Sequence, residues 1–139
     1  TARRHLDILF VVSAGNGGFN IELNQVFPAS FDLENIVVVT SVDHFGHLTR
    51  HSNYGVKSVD FMISAEQVDV FDHRGAYSTT GGSSYAAPML AALATRFLAK
   101  NKSASTSDIV TFLESRAIKK GKNLVKFGWI PDPSDDFKF

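Results

Sequence analysis

The stretch TTGGSSYAAPMLAALATRFLA, Thr79 to Ala99, sets two glycines and two serines directly before a run rich in Ala and Leu. Ala86, Ala87, Leu90, Ala91, Leu93, Ala94, Phe97 and Leu98 cover most of a helix circumference, with Arg96 and Lys100 the only charges. A helix apolar on nearly all sides is central rather than peripheral. Its first turn leaves backbone N–H groups without partners, and its dipole makes that end a place for negative charge. A serine nucleophile needs a base to take its proton and donors for the oxyanion that forms. Ser84, at the mouth of the helix behind glycines that allow close approach, meets part of that need. On these residues alone a plainer reading is equally open, in which Ser83 or Ser84 is an N-cap.

The rest of the chain supplies a sheet for this helix to pack on. Leu6 to Ser13 (LDILFVVS) is a short apolar run without alternation, ending in Ala14-Gly15-Asn16-Gly17-Gly18, and reads as a strand buried on both faces. Asn35 to Val42 (NIVVVTSV) is a second run of the same kind, and Val59 to Ser64 (VDFMIS) a third, shorter strand. A second helix begins near Ser105, with Asp108 returning the cap and Ile109, Val110, Phe112, Leu113 and Ala117 on one apolar face. Strands followed by helices, with the strands buried, predict an α/β layer structure. Lys119 to Lys126 (KKGKNLVK) reads as a solvated turn, and residues 128–139 (GWIPDPSDDFKF) as a surface-packed or mobile end.

Composition narrows the function classes. With 139 residues the chain is the size of one domain, and fourteen basic against fourteen acidic residues favour neither nucleic acid nor an anionic membrane. Cysteine is absent, which removes disulfides, thiolate nucleophiles and Cys-based zinc sites. The longest apolar runs are too short for a membrane span. The chain opens on Thr1 rather than Met, which reads as a boundary, a processed product or a fragment.

Two motifs give the site a family. Gly82-Ser83-Ser84-Tyr85-Ala86-Ala87-Pro88 resembles the nucleophile motif of the subtilisin-like serine proteases, Gly-Thr-Ser-x-Ala-x-Pro, with Ser83 in place of the usual Thr. Val11-Val12-Ser13-Ala14-Gly15-Asn16-Gly17-Gly18 is similar to the family's strand and Ala-Gly-Asn turn. Phe27-Pro28-Ala29 with the strand that follows, and Ser52-Asn53-Tyr54-Gly55, resemble two further landmarks in the same order. The resemblance runs from about Leu6 to about Ala117. It implies a three-layer αβα subtilisin-like fold with a mostly parallel sheet, of which residues 1–139 hold only the C-terminal half. It implies Ser84 as nucleophile and Asn16 as oxyanion donor together with the Ser84 N–H. Ser13, Ala14 and Gly15 would edge the primary specificity pocket, where their backbone can pair with an extended substrate.

The resemblance also shows what these residues lack. The family's triad runs Asp, His, Ser along the chain, and neither an Asp-Thr-Gly turn nor a His-Gly-Thr helix start is found here. All five histidines, His5, His44, His47, His51 and His73, precede Ser84, which excludes the Ser-Asp-His order of α/β-hydrolases. His44, His47 and His51 lie in a turn-rich segment read as a solvated loop rather than a metal site, and Gly15-Asn16-Gly17-Gly18 lacks the third glycine of a dinucleotide loop. Three departures from the family touch cleft shape: Ser64-Ala65-Glu66 for its Ala-Pro-Gly, Met89 for its His, and Ala92 for its Gly.

The expectation is therefore a serine endopeptidase acting on a peptide or protein substrate, with the triad Asp and His supplied by the preceding half of the domain or by another polypeptide. The alternative is a catalytically inactive subtilase-like fragment or binding module. No cofactor is expected; calcium is implied by resemblance only, with no ligands assigned, and so is secretion. Half a parallel sheet exposes an apolar edge, so the isolated chain is expected to aggregate, dimerise or bind its missing half.

Overall fold

The computed structural model describes residues 2–121, 123–131 and 133. In chain order the elements are a 3-10 turn at Ala2–Arg4, β1 (Phe10–Ser13), β2 (Ile36–Val42), β3 (Phe61–Ser64), β4 (Val68–Phe71), β5 (Tyr77–Thr80), α1 (Ser83–Lys100), α2 (Thr106–Arg116) and β6 (Gly128–Ile130). β1, β2, β3 and β6 form one parallel sheet in that order, and β4 and β5 form a separate antiparallel pair.

The register sorts β2 by period two. Val37 and Val39 face a cluster with Phe61, Ile63, Leu90, Leu93, Ile109 and Leu113, while Val38 and Val42 face another with Ile21, Val59, Met62 and Trp129. Both helices pack on the first face; loop segments cover the second. The chain is α/β with a parallel sheet, as its strand-then-helix order predicts.

Local chemistry explains the helix ends. Ser105 Oγ accepts from the Asp108 N–H at 3.2 Å, and the Asp108 carboxylate accepts from the Ser105 N–H at 2.8 Å, a reciprocal capping box. α1 begins differently. Its N-cap is Gly82 at φ 122°, and no side chain caps it, so neither Ser83 nor Ser84 is the N-cap that the sequence allowed.

Three expectations change. β1 is half-buried rather than buried on both faces, because it is the outer strand of the sheet described. Gly128–Ile130, read as part of a surface-packed or mobile end, is instead a buried strand paired to β3, with Phe127 stacked on Phe61 at 5.1 Å between ring centroids. Three residues are too few to show a period. Most of the remaining tail, Asp132 and residues 134–139, lies outside the described residues. The Lys119–Lys126 turn, with Lys122 also outside them, is solvated only in part: Val125 is fully buried and Lys126 pairs with Asp60 at 3.8 Å. The β4–β5 hairpin had no sequence expectation. Asp72 closes it, its carboxylate accepting from the N–H groups of Arg74 and Ala76, and His73 lies in this exposed turn.

Candidate active site

Three segments meet at the C-terminal end of β1: the loop that leaves it, the turn around Asn53, and the start of α1. Gly15 lies at φ +94°, a left-handed conformation that turns the chain and leaves Asn16 exposed at the surface. A side chain there would also place its Cβ 2.8 Å from Asn53 Nδ2.

Ser83, the first residue of α1, is fully buried, and its polar atoms hold Asn16. Its N–H donates to Asn16 Oδ1 at 3.0 Å and its hydroxyl donates to the same oxygen at 2.9 Å. A backbone N–H can only donate, so the Asn16 atom facing it must be the amide oxygen. The Asn16 NH₂ is therefore turned outward beside Gly82, where a Cβ would sit 3.1 Å from Nδ2. Among the described residues no group accepts a hydrogen bond from it.

Ser84 is the opposite of its neighbour. It is exposed, and neither its hydroxyl nor its N–H has a hydrogen-bond partner among the described residues. Pro88 stands four residues on and has no N–H to give the Ser84 carbonyl. One free hydroxyl, one free N–H and one free side-chain amide thus share the mouth of α1, where the helix dipole favours negative charge.

Asn53 fixes the loop from beneath. It is 2% exposed, and its Nδ2 donates to the Ala14 carbonyl at 2.8 Å. Its Oδ1 accepts from Gly17 N–H at 2.9 Å and Phe19 N–H at 3.2 Å, while its own N–H donates to the Gly15 carbonyl at 3.1 Å. Thr40 Oγ1 holds the Asn53 carbonyl in turn at 2.6 Å. Asn16 is clamped on both sides by one residue. The sequence reading used Asn53 only as part of a turn and gave Ser83 no role beyond a cap. The local signal was an amide side chain in a turn, a type that bonds backbone; its partners lie 34 to 39 positions away.

The other residues singled out from the sequence divide. Ala14 is buried, and its N–H goes to the Val39 carbonyl. The Gly15 N–H is taken by the Ser83 and Ser13 hydroxyls at 3.1 and 3.2 Å. Of the three residues expected to edge a substrate pocket, only Ser13 keeps a backbone N–H for the open side: the β2 ladder takes those of Phe10 and Ala14, and alternation turns that of Ser13 outward. His47 pairs with Asp43, and His51 with Glu66 at 2.9 Å, so these two loop histidines have separate partners. No group of three His, Cys, Asp or Glu side chains that could hold a metal ion occurs among the described residues.

Comparison with known proteins bears on the family and the fold. The profile of the subtilase family matches residues 1–129. Among solved structures, a cold-adapted subtilisin-like serine proteinase superposes with a TM-score of 0.74 at 23% identity, covering 89% of this chain and 45% of the other. A lanthipeptide protease gives 0.74 at 20% identity, over 94% of this chain and 50% of the other. The self-cleaved protease domain of PatA gives 0.73 at 20% identity, over 96% and 50%. The chain thus has a subtilisin-like fold and spans about half the length of these structures. No curated protein sequence matches it.

Proposed function

The chain belongs to the subtilase family, and from that premise we propose that it is the C-terminal part of a serine endopeptidase catalytic domain. Ser84 Oγ attacks the scissile carbonyl carbon while its proton passes to a histidine base, and the carbonyl π pair moves onto oxygen. Asn16 Nδ2 and the Ser84 N–H hold that oxyanion. Its collapse expels the amine, which takes the proton from the histidine and leaves an acyl-serine for water to hydrolyse.

The observation that carries this reading is the lock on Asn16. With Oδ1 held by both donors of Ser83, the NH₂ is preorganised beside a free N–H and a free hydroxyl, which is how an oxyanion site differs from a turn asparagine.

The base and its orienting carboxylate come from outside these residues, from the preceding half of the domain or an associated polypeptide. None of the five histidines hydrogen-bonds Ser84 among the described residues. The outer edge of β1 supports the same division. Beside it runs a groove of about 280 Å³, lined by Ile8, Leu9, Val11, Ala91, Ala94 and Leu98 among others, and Ile8 is 46% exposed. An open parallel edge next to apolar surface is where the rest of such a sheet docks. Substrate is a peptide in extended form, lying against Ser13 where β1 ends, past the stretch on which the sheet docks.

The test uses the whole catalytic domain, this chain with the half that precedes it. A fluorophosphonate probe is expected to modify Ser84, and Ser84→Ala to lose on the order of 10⁶-fold in kcat, the loss known for the nucleophile of subtilisin. Asn16→Ala should keep slow labelling and lose about 10²- to 10³-fold, the range known for a subtilisin donor of this kind. A folded domain that leaves Ser84 unlabelled, or one that still cleaves casein after Ser84→Ala, would overturn the assignment.

A further inference from the structure

Ser13 carries a hydroxyl at the end of β1, 70 positions from the serine it touches: the two oxygens lie 2.7 Å apart. Proton counting gives the contact a direction. A serine hydroxyl has one proton and two lone pairs. The Ser83 proton goes to Asn16 Oδ1, which can only accept. One Ser83 lone pair receives the Gly15 N–H. The remaining lone pair therefore receives the proton of Ser13, whose own oxygen accepts the second branch of the Gly15 N–H. The bonds run one way, from Ser13 to Ser83 to Asn16, and Ser83 is fully satisfied in a buried place where an unmade bond is costly.

We propose that Ser13 is a positioning residue for the oxyanion site: through the Ser83 hydroxyl it steadies the second of the two bonds on Asn16 Oδ1, the first being the Ser83 N–H, and so narrows the orientation of the Asn16 amide. This rests on the role given to Asn16 above and changes the role of Ser13. Its hydroxyl turns inward to the donor, and only its backbone faces the substrate side. Without the Ser13 proton, Ser83 keeps a bare lone pair and its hydroxyl is free to rotate off Asn16. Successive hydrogen bonds polarise one another, so the loss reaches the far end of the chain of bonds.

The experiment compares Ser13→Ala and Ser13→Thr in the whole catalytic domain, with two readouts. The first is the side-chain NH₂ resonance pair of Asn16 in selectively ¹⁵N-asparagine-labelled protein. It is expected to shift or broaden in Ser13→Ala and to return in Ser13→Thr, which keeps the hydroxyl. The second is kinetics: Ser13→Ala loses about 5- to 10-fold in kcat, the scale of one hydrogen bond, with KM unchanged. In a Ser83→Ala background the same substitution costs nothing further, because the relay is already cut.

A changed KM with constant kcat would show that Ser13 meets substrate directly and overturn the proposal. Additive losses with Ser83→Ala, or an Asn16 resonance pair indifferent to Ser13→Ala, would also overturn it. The two readings fail separately. A wild-type domain that cleaves no peptide defeats the proposed function, and the Asn16 resonances still decide the relay.

Discussion

The helical layer and the loop that carries Asn16 are held by opposite means. α1 and α2 sit on the sheet through many interchangeable apolar contacts: Leu90, Leu93, Ile109 and Leu113 pack against Val37, Val39, Phe61 and Ile63. The loop from Ala14 to Phe19 is held by a few directed bonds, four of them made by Asn53 alone. The first arrangement resists unfolding, because each side chain removes apolar area from water whatever its neighbours do. The second gives little stability and much precision, because each bond holds only with its partners in place and in line. Stability and rate should therefore respond to different residues.

The sharpest contrast comes from Leu90, which is fully buried. Leu90→Ala is expected to lower the stability of the catalytic domain by about 2–5 kcal/mol and to leave kcat per folded molecule within about twofold. Denaturant titration and active-site counting with the probe measure the two quantities. A large fall in the rate of the folded fraction would break the comparison. Asn53→Ala tests the other side. It strips the buried Ala14 carbonyl and the N–H groups of Gly17 and Phe19 of partners, at about 1–3 kcal/mol. Here kcat should fall by at least as much as that free energy implies, and amide exchange at Gly17 and Phe19 should quicken. A stability loss without a rate loss would mean that the loop holds its shape by itself.

The smallest effect belongs to the helix farther from the site. Ser105→Ala removes a capping box and should cost about 1 kcal/mol with no change in turnover. It carries a pH signature as well. Hydrogen bonds from the Ser105 hydroxyl and N–H hold the Asp108 carboxyl below its ordinary value. A carboxylate depressed on folding stabilises above its unfolded pKa, and that part is lost as pH falls through its folded value. The difference between wild type and Ser105→Ala, followed by thermal melts, should therefore shrink on acidification below about pH 4. A difference that holds constant to the lowest pH would locate the effect in the bond from the Asp108 N–H to Ser105 Oγ, in which the carboxylate takes no part.

The same contrast explains what could be read from the sequence. Apolar runs such as Ile36–Val42 and the all-round apolar pattern of α1 are written in adjacent residues, and so is the Ser105–Asp108 box. Their elements stand where expected. Gly128–Ile130 was missed because three residues show no period and its burial comes from β3, far back in the chain. In the candidate site, family motifs point to Ser84 and Asn16, but no motif carries the bonds around them. Nothing local to Asn53 names Ala14 or Phe19, and nothing local to Ser13 names Ser83. Hydrogen bonds across 34 to 70 positions have no periodicity.

Gly82 has a consequence for anyone who would improve this molecule. The chain's longest helix begins without a capping side chain, on a residue at φ 122°, and a protein engineer screening for stability would see a defect worth correcting. Ser or Asp at an N-cap is worth only a few tenths of a kcal/mol over glycine. At this position either one would adopt a strained backbone and set its Cβ 3.1 Å from Asn16 Nδ2. The bare cap is the entrance to the proposed site, and redesign guided by melting temperature alone would close it.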